Sequence, residues 1–300
     1  MLLPAHNEEA TVAGVIRRAP AAVAGHPVGV LVVDDGATNA STAVAVEAGA
    51  VVHSLGVNRG LGAAVRTGLG LAVEQGAAAV AFLDADGEYA PEELAGLVRP
   101  ILDGEADYVV GSRFAGSPRA MRPHRWLGNQ ILTGWVRLLV RRWGVRGVTD
   151  GQSGYRALSS KAAAAAEIVH DFNYAQVLTL DLLGKGFRYA EVPISYRFRR
   201  HGRSFVRLVP YLRQVVPAVR MELVRQSSTT NERKPSRASR HEAWSNRPSG
   251  PRAPAAAQPM ASAWWVLSGV NRPWRPNVTS PSRPDAHCSS AARSAAKPGA

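Results

Sequence analysis

The chain has 300 residues, a formal net charge of +13 and a single cysteine, Cys288. This length fits one α/β domain with an extension, or two small domains. One cysteine excludes an internal disulfide framework and a cysteine-rich zinc site, which fits a reducing compartment. No apolar run approaches the roughly 18 residues that span a bilayer, and no signal-peptide pattern opens the sequence. We therefore expect a cytoplasmic protein, either soluble or peripheral at the inner face of the cell membrane.

Composition divides the chain near residue 226. Residues 1–226 alternate short apolar runs with amphipathic stretches, whereas residues 227–300 hold 10 of the 20 prolines and carry 11 Lys/Arg against 3 Asp/Glu. Segments with this composition do not bury enough apolar surface to fold. The tail also lacks the regular aromatic interleaving of a nucleic-acid-binding module. The sequence predicts a folded domain over 1–226, a disordered basic tail over 227–300, and no nucleic-acid partner.

Within the domain, strands are predicted to alternate with helices. In chain order the predicted elements are the end of a first strand before Pro4, a strand over Val28–Val33, a helix over Ala40–Ala48, a strand over Ala50–Ser54, a helix over Gly60–Gln75, a strand over Ala78–Leu83, a helix over Pro91–Leu102 and a strand over Tyr108–Gly111. This alternation indicates an α/β fold, with a mostly parallel sheet and helices on both faces. Ligands bind such sheets beyond the carboxyl ends of the strands.

A polar motif follows each of the first four predicted strands. These motifs are Pro4-Ala5-His6-Asn7-Glu8-Glu9, Asp34-Asp35-Gly36, Asn58-Arg59-Gly60-Leu61-Gly62 and Asp84-Ala85-Asp86. Each one alone is typical of a turn or a helix cap. Because the carboxyl ends of parallel strands meet at one edge of a sheet, the four together predict a single site.

The fourth motif has the residues that a divalent cation prefers. Asp84 and Asp86 are one residue apart after an apolar strand, so both carboxylates can point the same way, and Gly87 allows a sharp turn beside them. Glu88 supplies a third carboxylate. Mg²⁺ and Mn²⁺ take oxygen ligands and keep part of their coordination shell for water and substrate phosphates. The sequence therefore predicts a Mg²⁺ or Mn²⁺ site at Asp84, Asp86 and Glu88.

The motif series resembles family 2 glycosyltransferases with the GT-A fold, and most of all the dolichyl-phosphate or polyprenyl-phosphate mannose and glucose synthases. The motifs that carry the resemblance are the four given above, Gly111-Ser112-Arg113, and Gln152-Ser153-Gly154-Tyr155-Arg156. Their order and spacing cover roughly residues 1–225. The resemblance implies a Rossmann-like GT-A domain and a metal-dependent, inverting transfer of a hexose from GDP-mannose or UDP-glucose to a polyprenyl or dolichyl phosphate.

The resemblance also implies roles for individual residues. Those assigned to the nucleotide-sugar are Pro4, Ala5, Asn7, Glu8, Asp34, Gly60, Asp84, Arg199 and Arg200. Those assigned to the acceptor are Arg119, Arg122, Arg125 and Ser153. Asp86, Arg113 and Asp150 are assigned to catalysis.

Two basic segments suit the phosphates of such a reaction. The cluster from Arg197 to Arg203 resembles the family's Arg/Lys-rich loop over the diphosphate, where guanidinium groups make bidentate contacts; a solvated basic face is the alternative. Arg113 and the arginines that follow it are placed for an acceptor phosphate. Such a nucleophile is already ionised at neutral pH, so Asp150 acts either as a general base for a hydroxyl acceptor or as a positioning group.

One more stretch suggests a membrane contact. Apolar residues recur at three- and four-residue steps over 206–225, and arginines occupy the other faces. This pattern predicts a basic amphipathic helix that either lies in a headgroup layer or packs on the core.

Other functions remain alternatives to the lipid-phosphate transferase. They are the same fold acting on a hydroxyl acceptor, or a non-catalytic nucleotide-sugar-binding protein. A dinucleotide oxidoreductase is excluded because Gly60-Leu61-Gly62 lacks the third glycine at the required step.

Overall fold

The protein is described by a computed structural model over residues 1–116, 121, 123–171, 174–197 and 208–232. The strands are β1 (Leu2–Ala5), β2 (Ala22–Val23), β3 (His26–Pro27), β4 (Leu31–Asp34), β5 (Val51–Ser54), β6 (Ala79–Phe82), β7 (Tyr108–Ser112), β8 (Arg156–Ser159) and β9 (Tyr189–Pro193). The helices are α1 (Val12–Arg17), α2 (Ser41–Glu47), α3 (Leu61–Glu74), α4 (Leu94–Leu102), α5 (Pro123–Val140), α6 (Ser160–Ala165), α7 (Ala175–Gly184) and α8 (Leu208–Glu232). Short 3₁₀ turns occupy Pro91–Glu93 and Arg141–Trp143.

Seven strands form one sheet in the order β5-β4-β1-β6-β8-β7-β9. The β1–β4, β4–β5, β1–β6 and β7–β9 pairs are parallel, whereas β8 runs antiparallel to both β6 and β7. The strands β2 and β3 form a separate antiparallel pair. The prediction of a mostly parallel α/β sheet is confirmed, and the antiparallel β8 is an element that alternation alone did not predict.

Alternating side chains divide the core into one layer on each face of the sheet. Leu3 and Val32 pack with residues of α1, α2 and α4 on one face. Leu2 and Val33 pack with residues of α3, α6 and α7 on the other. Because successive residues of a strand point to opposite faces, an almost uninterrupted apolar run is what a strand covered on both sides requires. Helices therefore lie on both faces, as predicted.

The helix α7 is covered on two sides. Leu178 and Leu182 belong to the core against the sheet, whereas Leu180 and Leu183 pack with α5 and α8. The buried carboxylate of Asp181 binds Lys185, with 2.7 Å between Oδ1 and Nζ, and Arg225 of α8, with 2.5 Å between Oδ1 and Nη2. Apolar contacts attach α5 and α8 to α7, and the ion pair between Asp181 and Arg225 adds to the attachment of α8.

The predicted amphipathic helix corresponds to α8. Val219 and Leu223 of the predicted stripe pack with the residues of α5 and α7, so at these positions the stripe covers the core. Within the described residues, no helix has the length and apolar content needed to cross a membrane. The helix continues to Glu232, beyond the predicted domain boundary at 226, and the rest of the predicted tail lies outside the described residues.

Leu178→Ala should lower the free energy of unfolding by about 2–5 kcal/mol, because it opens a cavity between α7 and the sheet. The matched control is Leu138→Ala on the exposed side of α5, where the change should stay within about 0.5 kcal/mol. Urea denaturation followed by circular dichroism measures both values. Equal losses in the two variants would contradict this description of the core.

Candidate active site

The first two polar loops lie side by side at the carboxyl ends of β1 and β4. Pro4 and Ala5 are the last residues of β1, and the backbone N–H of Asp35 donates to the Ala5 carbonyl at 2.9 Å. The backbone N–H of Thr38 donates to Oδ1 of Asn7 at 2.8 Å, while Asn7 itself adopts a φ of 58°. These contacts bring two of the residues predicted to bind the nucleotide, Ala5 and Asn7, into one wall.

The two aspartates of the second motif fix loops inside this wall. The backbone N–H of Ala37 donates to Oδ1 of Asp34 at 2.7 Å, and Oγ of Ser54 donates to Oδ2 at 2.8 Å. Asp35 receives the backbone N–H of Arg59 at 2.6 Å and that of Gly60 at 2.9 Å. The positive end of the α3 dipole stabilises a negative carboxylate at this position. Asp35 thus orders the third loop, a role that the sequence did not assign to it.

The remaining nucleotide-sugar assignments at this edge, Glu8 and Gly60, are near the same loops. Glu8 Oε2 accepts a hydrogen bond from Oγ1 of Thr11 at 3.2 Å, just before α1. Gly60 lies so close to residue 171 that a Cβ at this position would come within 2.5 Å of the Asp171 carbonyl oxygen. Gly60 is therefore explained by packing, and its contact with the nucleotide-sugar stays a prediction.

Asp84 and Asp86 follow β6, as predicted. Asp84 is partly exposed, and Asp86 is buried and accepts the backbone N–H of Glu88 at 2.9 Å through Oδ1. Gly87, which follows Asp86, has a φ of 77°, in the left-handed region that residues with a side chain rarely adopt. The strand and this turn together put both aspartates at the edge of the sheet.

The third carboxylate of the motif contacts two other parts of the chain. The hydroxyl of Tyr196 donates to Oε2 of Glu88 at 2.9 Å, and Nη1 of Arg125 lies 3.7 Å from Oε1. The backbone N–H of Arg197 donates to the Glu88 carbonyl at 2.9 Å. Glu88 thus connects the turn to α5 and to the segment after β9.

Asp84 and Asp86 provide carboxylate oxygens that fit a divalent cation. Among the described residues, no three His, Cys, Asp or Glu side chains are grouped as a metal site. Asp84 and Asp86 still form an oxygen donor pair, and one or two carboxylates suffice when a diphosphate supplies the other ligands. Glu88 as a ligand stays a prediction.

A buried ion pair lies beside this turn. Asp150 accepts the Nε–H of Arg113 at 2.7 Å through Oδ2 and the Nη2–H at 2.9 Å through Oδ1. Both side chains are buried, and the guanidinium carbon of Arg113 lies 5.5 Å from the ring centroid of Tyr196. The backbone N–H of Thr149, next to Asp150, donates to the Glu191 carboxylate at 2.9 Å. The bidentate pair joins the end of β7 to the loop before β8.

Tyr89 links the ion pair to the aspartates. Its hydroxyl accepts the backbone N–H of Gly154 at 2.8 Å. Burial raises the pKa of Tyr89, Arg113 opposes that shift, and Asp84 adds to it, which places the phenol among these charges. A Cβ on Gly154 would come within 2.7 Å of Oδ2 of Asp84 and 3.3 Å of the Tyr89 ring. The motif Gln152-Ser153-Gly154-Tyr155-Arg156 therefore packs directly against Asp84, a predicted metal ligand.

Arg156 anchors the loop that contains Gly154 through several hydrogen bonds. Sequence reasoning assigned no role to this residue. Its guanidinium is fully buried and donates to the carbonyls of Ser153 at 2.7 Å, Gly151 at 3.2 Å and Ala175 at 2.8 Å. It also binds the Tyr108 hydroxyl. A charged residue that opens an otherwise apolar strand is the signal that could have identified it, because a buried charge needs several partners.

Two of the four predicted acceptor residues, Ser153 and Arg125, are among the described residues. Ser153 is fully buried, and its Oγ accepts the backbone N–H of Tyr155 at 3.3 Å, so the described contact is internal to the loop. Arg125 reaches the Tyr196 hydroxyl at 3.3 Å. Arg119, Arg122, Arg199 and Arg200 lie outside the described residues, and their roles stay predictions.

Known proteins are similar to this chain in sequence. The polyprenol monophosphomannose synthase of Mycolicibacterium smegmatis is 30% identical over 217 residues, covering 68% of this chain and 79% of that protein. The UDP-N-acetylglucosamine–dolichyl-phosphate N-acetylglucosaminyltransferase of Methanococcus voltae is 40% identical over 107 residues, covering 35% of this chain and 41% of that protein.

A solved structure has a similar fold. It is glucosyl-3-phosphoglycerate synthase from Mycobacterium tuberculosis in complex with Mn²⁺, UDP and glucosyl-3-phosphoglycerate, with a TM-score of 0.58 and 26% identity, covering 74% of this chain and 78% of that one. The model of the family described as Glycosyl transferase family 2 matches residues 1–161. The chain therefore belongs to glycosyltransferase family 2 and is a glycosyltransferase.

Proposed function

We propose that this enzyme is a metal-dependent, inverting hexosyltransferase that uses a nucleotide-sugar donor and a polyprenyl phosphate acceptor. The observation that carries the proposal is the placement of Asp84 and Asp86 beside the buried Arg113–Asp150 pair. Two named relatives act on polyprenyl or dolichyl phosphate, and the solved relative was crystallised with Mn²⁺ and UDP. We place the reaction at the cytoplasmic face of the membrane.

The proposed reaction is one displacement at the anomeric carbon. An oxygen of the acceptor phosphate forms the new bond to that carbon, and the old C–O bond breaks with its electron pair leaving on the nucleoside diphosphate. A cation bound by Asp84 and Asp86 would neutralise the charge that develops on this leaving group. The chain's own residues then have to hold the donor, orient the acceptor and keep the charges in place.

The roles of Arg113 and Asp150 follow from their geometry. Both oxygens of Asp150 accept hydrogen bonds from Arg113, and Oδ1 also accepts the backbone N–H of Gln152 at 3.1 Å. A carboxylate engaged in this way positions a guanidinium and is poorly placed to take a proton. Because a phosphate acceptor is already ionised, no general base is needed. We therefore assign Asp150 to positioning and Arg113 to phosphate binding.

Asp84→Ala should abolish metal-dependent nucleotide binding and transfer together, with a loss of about 100-fold or more, since it removes a ligand worth several kcal/mol. Calorimetry with UDP and GDP in the presence of MnCl₂ measures binding, and release of the nucleoside diphosphate measures turnover. Asp103→Ala, at an exposed carboxylate after α4, is the control and should change neither quantity. Transfer that survives in Asp84→Ala would reject metal dependence through this residue, whereas nucleotide binding without transfer in the wild type would favour the non-catalytic alternative.

Gly154→Ala should weaken manganese-dependent nucleotide binding by about ten-fold, a cost of roughly 1.4 kcal/mol, because the added methyl group displaces the Asp84 carboxylate. Gly96→Ala in α4 is the matched control, since a Cβ there meets nothing within 4 Å. Both variants are measured by calorimetry and checked for folding by circular dichroism. If the two variants bind alike, the packing of Gly154 on Asp84 does not set the metal site.

The acceptor can be identified by radiolabel transfer from GDP-mannose, UDP-glucose and UDP-N-acetylglucosamine. We expect label in the organic phase with a short-chain polyprenyl phosphate and little with 3-phosphoglycerate. Label found only in water-soluble product would instead favour the second candidate, a hydroxyl acceptor like that of the solved relative, whose complex contains glucosyl-3-phosphoglycerate.

A further inference from the structure

One side of α5 carries an apolar stripe that the fold leaves uncovered. Leu127, Ile131 and Leu138, named here the α5 stripe, are 55%, 64% and 64% exposed. Steps of four and seven residues put all three on one face of a helix. Trp126 beside them is 42% exposed. Among the described residues, eleven large apolar side chains are exposed, and four of these are in α5.

The opposite side of α5 is already used for folding. Val136, Leu139 and Val140 are buried in the cluster that includes residues of α7 and α8. The helix α5 therefore packs on the domain through its other side. It can stay attached to the domain while the α5 stripe contacts a partner. Apolar side chains concentrated on one outer surface mark an interaction site more often than scattered ones do.

The sequence that contains α5 carries charge of one sign. Between Asp107 and Asp150 the sequence contains eight arginines and no acidic residue. Arg141 and Arg142 lie in the 3₁₀ turn directly after α5, three and four residues beyond Leu138, and both are exposed. An apolar stripe bordered by cations matches a surface that offers acyl chains beneath phosphate groups.

The same helix also reaches the active site. Arg125, near its beginning, contacts the Tyr196 hydroxyl and Glu88. Whatever α5 rests on will therefore lie close to the predicted metal turn. We propose that α5 is the membrane-docking helix, with the α5 stripe inserted among anionic lipids and Arg141 and Arg142 on their phosphates. This rests on the proposed lipid acceptor and moves the expected membrane contact from α8 to α5.

A second copy of the chain fits this face less well. A symmetric dimer brings the same patch of both copies together, so the arginines of one α5 would face those of the other without an acidic partner on the helix. Like charges placed opposite each other oppose association. An anionic bilayer has the complementary charge.

The test measures co-sedimentation of the full chain with vesicles of phosphatidylglycerol and phosphatidylcholine, and with phosphatidylcholine alone. Ile131→Glu/Leu138→Glu should lower the partition coefficient on anionic vesicles by about ten-fold or more, and Arg141→Gln/Arg142→Gln by about 25-fold, at roughly five-fold per arginine. Met221→Glu/Val224→Glu is the matched control, because it places the same charges on exposed apolar positions of α8. The basic tail is common to all variants.

Loss of vesicle binding in the α5 variants, with the α8 variant unchanged, supports the proposal. Equal loss in both pairs, loss in the α8 pair alone, or no loss at all overturns it. Sedimentation velocity tests whether a second copy of the chain covers the α5 stripe instead. A wild-type dimer that becomes monomeric in Ile131→Glu/Leu138→Glu also overturns the proposal. Manganese-dependent UDP or GDP binding, measured on the same variants, should be retained, so that a failure of the docking surface is distinguished from a failure of the proposed function.

Discussion

The buried ion pair between Arg113 and Asp150 is the interaction on which the site depends. It joins two loops that are far apart in the sequence, and the Glu191 carboxylate holds the backbone next to it. Removing one partner of such a pair leaves an uncompensated charge in the interior, at a cost of about 3–5 kcal/mol. In the proposed reaction the pair would also be preorganised, because a guanidinium held by two hydrogen bonds does not need to reorient to bind a phosphate.

The rest of the site is arranged around that pair by close packing. Tyr89 accepts a hydrogen bond from Gly154, and Gly154 leaves just enough room for Asp84. Arg156 binds three carbonyls beneath the same loop. The position of Asp84, the proposed metal ligand, thus depends partly on residues that would not touch the metal, as is usual for groups surrounding a metal site.

The sheet and its reactive edge were predictable because they depend on local patterns. Apolar runs followed by polar loops identified β4, β5 and β6, and the parallel arrangement then implied that Asp34 and Asp84 lie at one edge. The contact between Glu88 and Tyr196 was not predictable. The two residues are 108 positions apart, and a local sequence pattern does not identify a partner at that distance. Arg156 was missed for the same reason, since its partners come from β7, α7 and its own loop. The antiparallel β8 depends on how distant strands pair, which alternation does not encode.

The turn that carries Asp84 and Asp86 contacts the segment after β9. This contact has a kinetic consequence for the proposed reaction. Tyr89 and Tyr196 form an isolated antiparallel bridge, and the Arg197 backbone binds the Glu88 carbonyl. Arg197, where the predicted arginine-rich segment begins, is therefore hydrogen-bonded to the turn that carries Asp86. In the proposed reaction, a donor that shifts this turn would also shift Arg197, because the two share this backbone hydrogen bond. Such a linkage favours a compulsory order of events, in which the donor enters first and the spent nucleotide departs last.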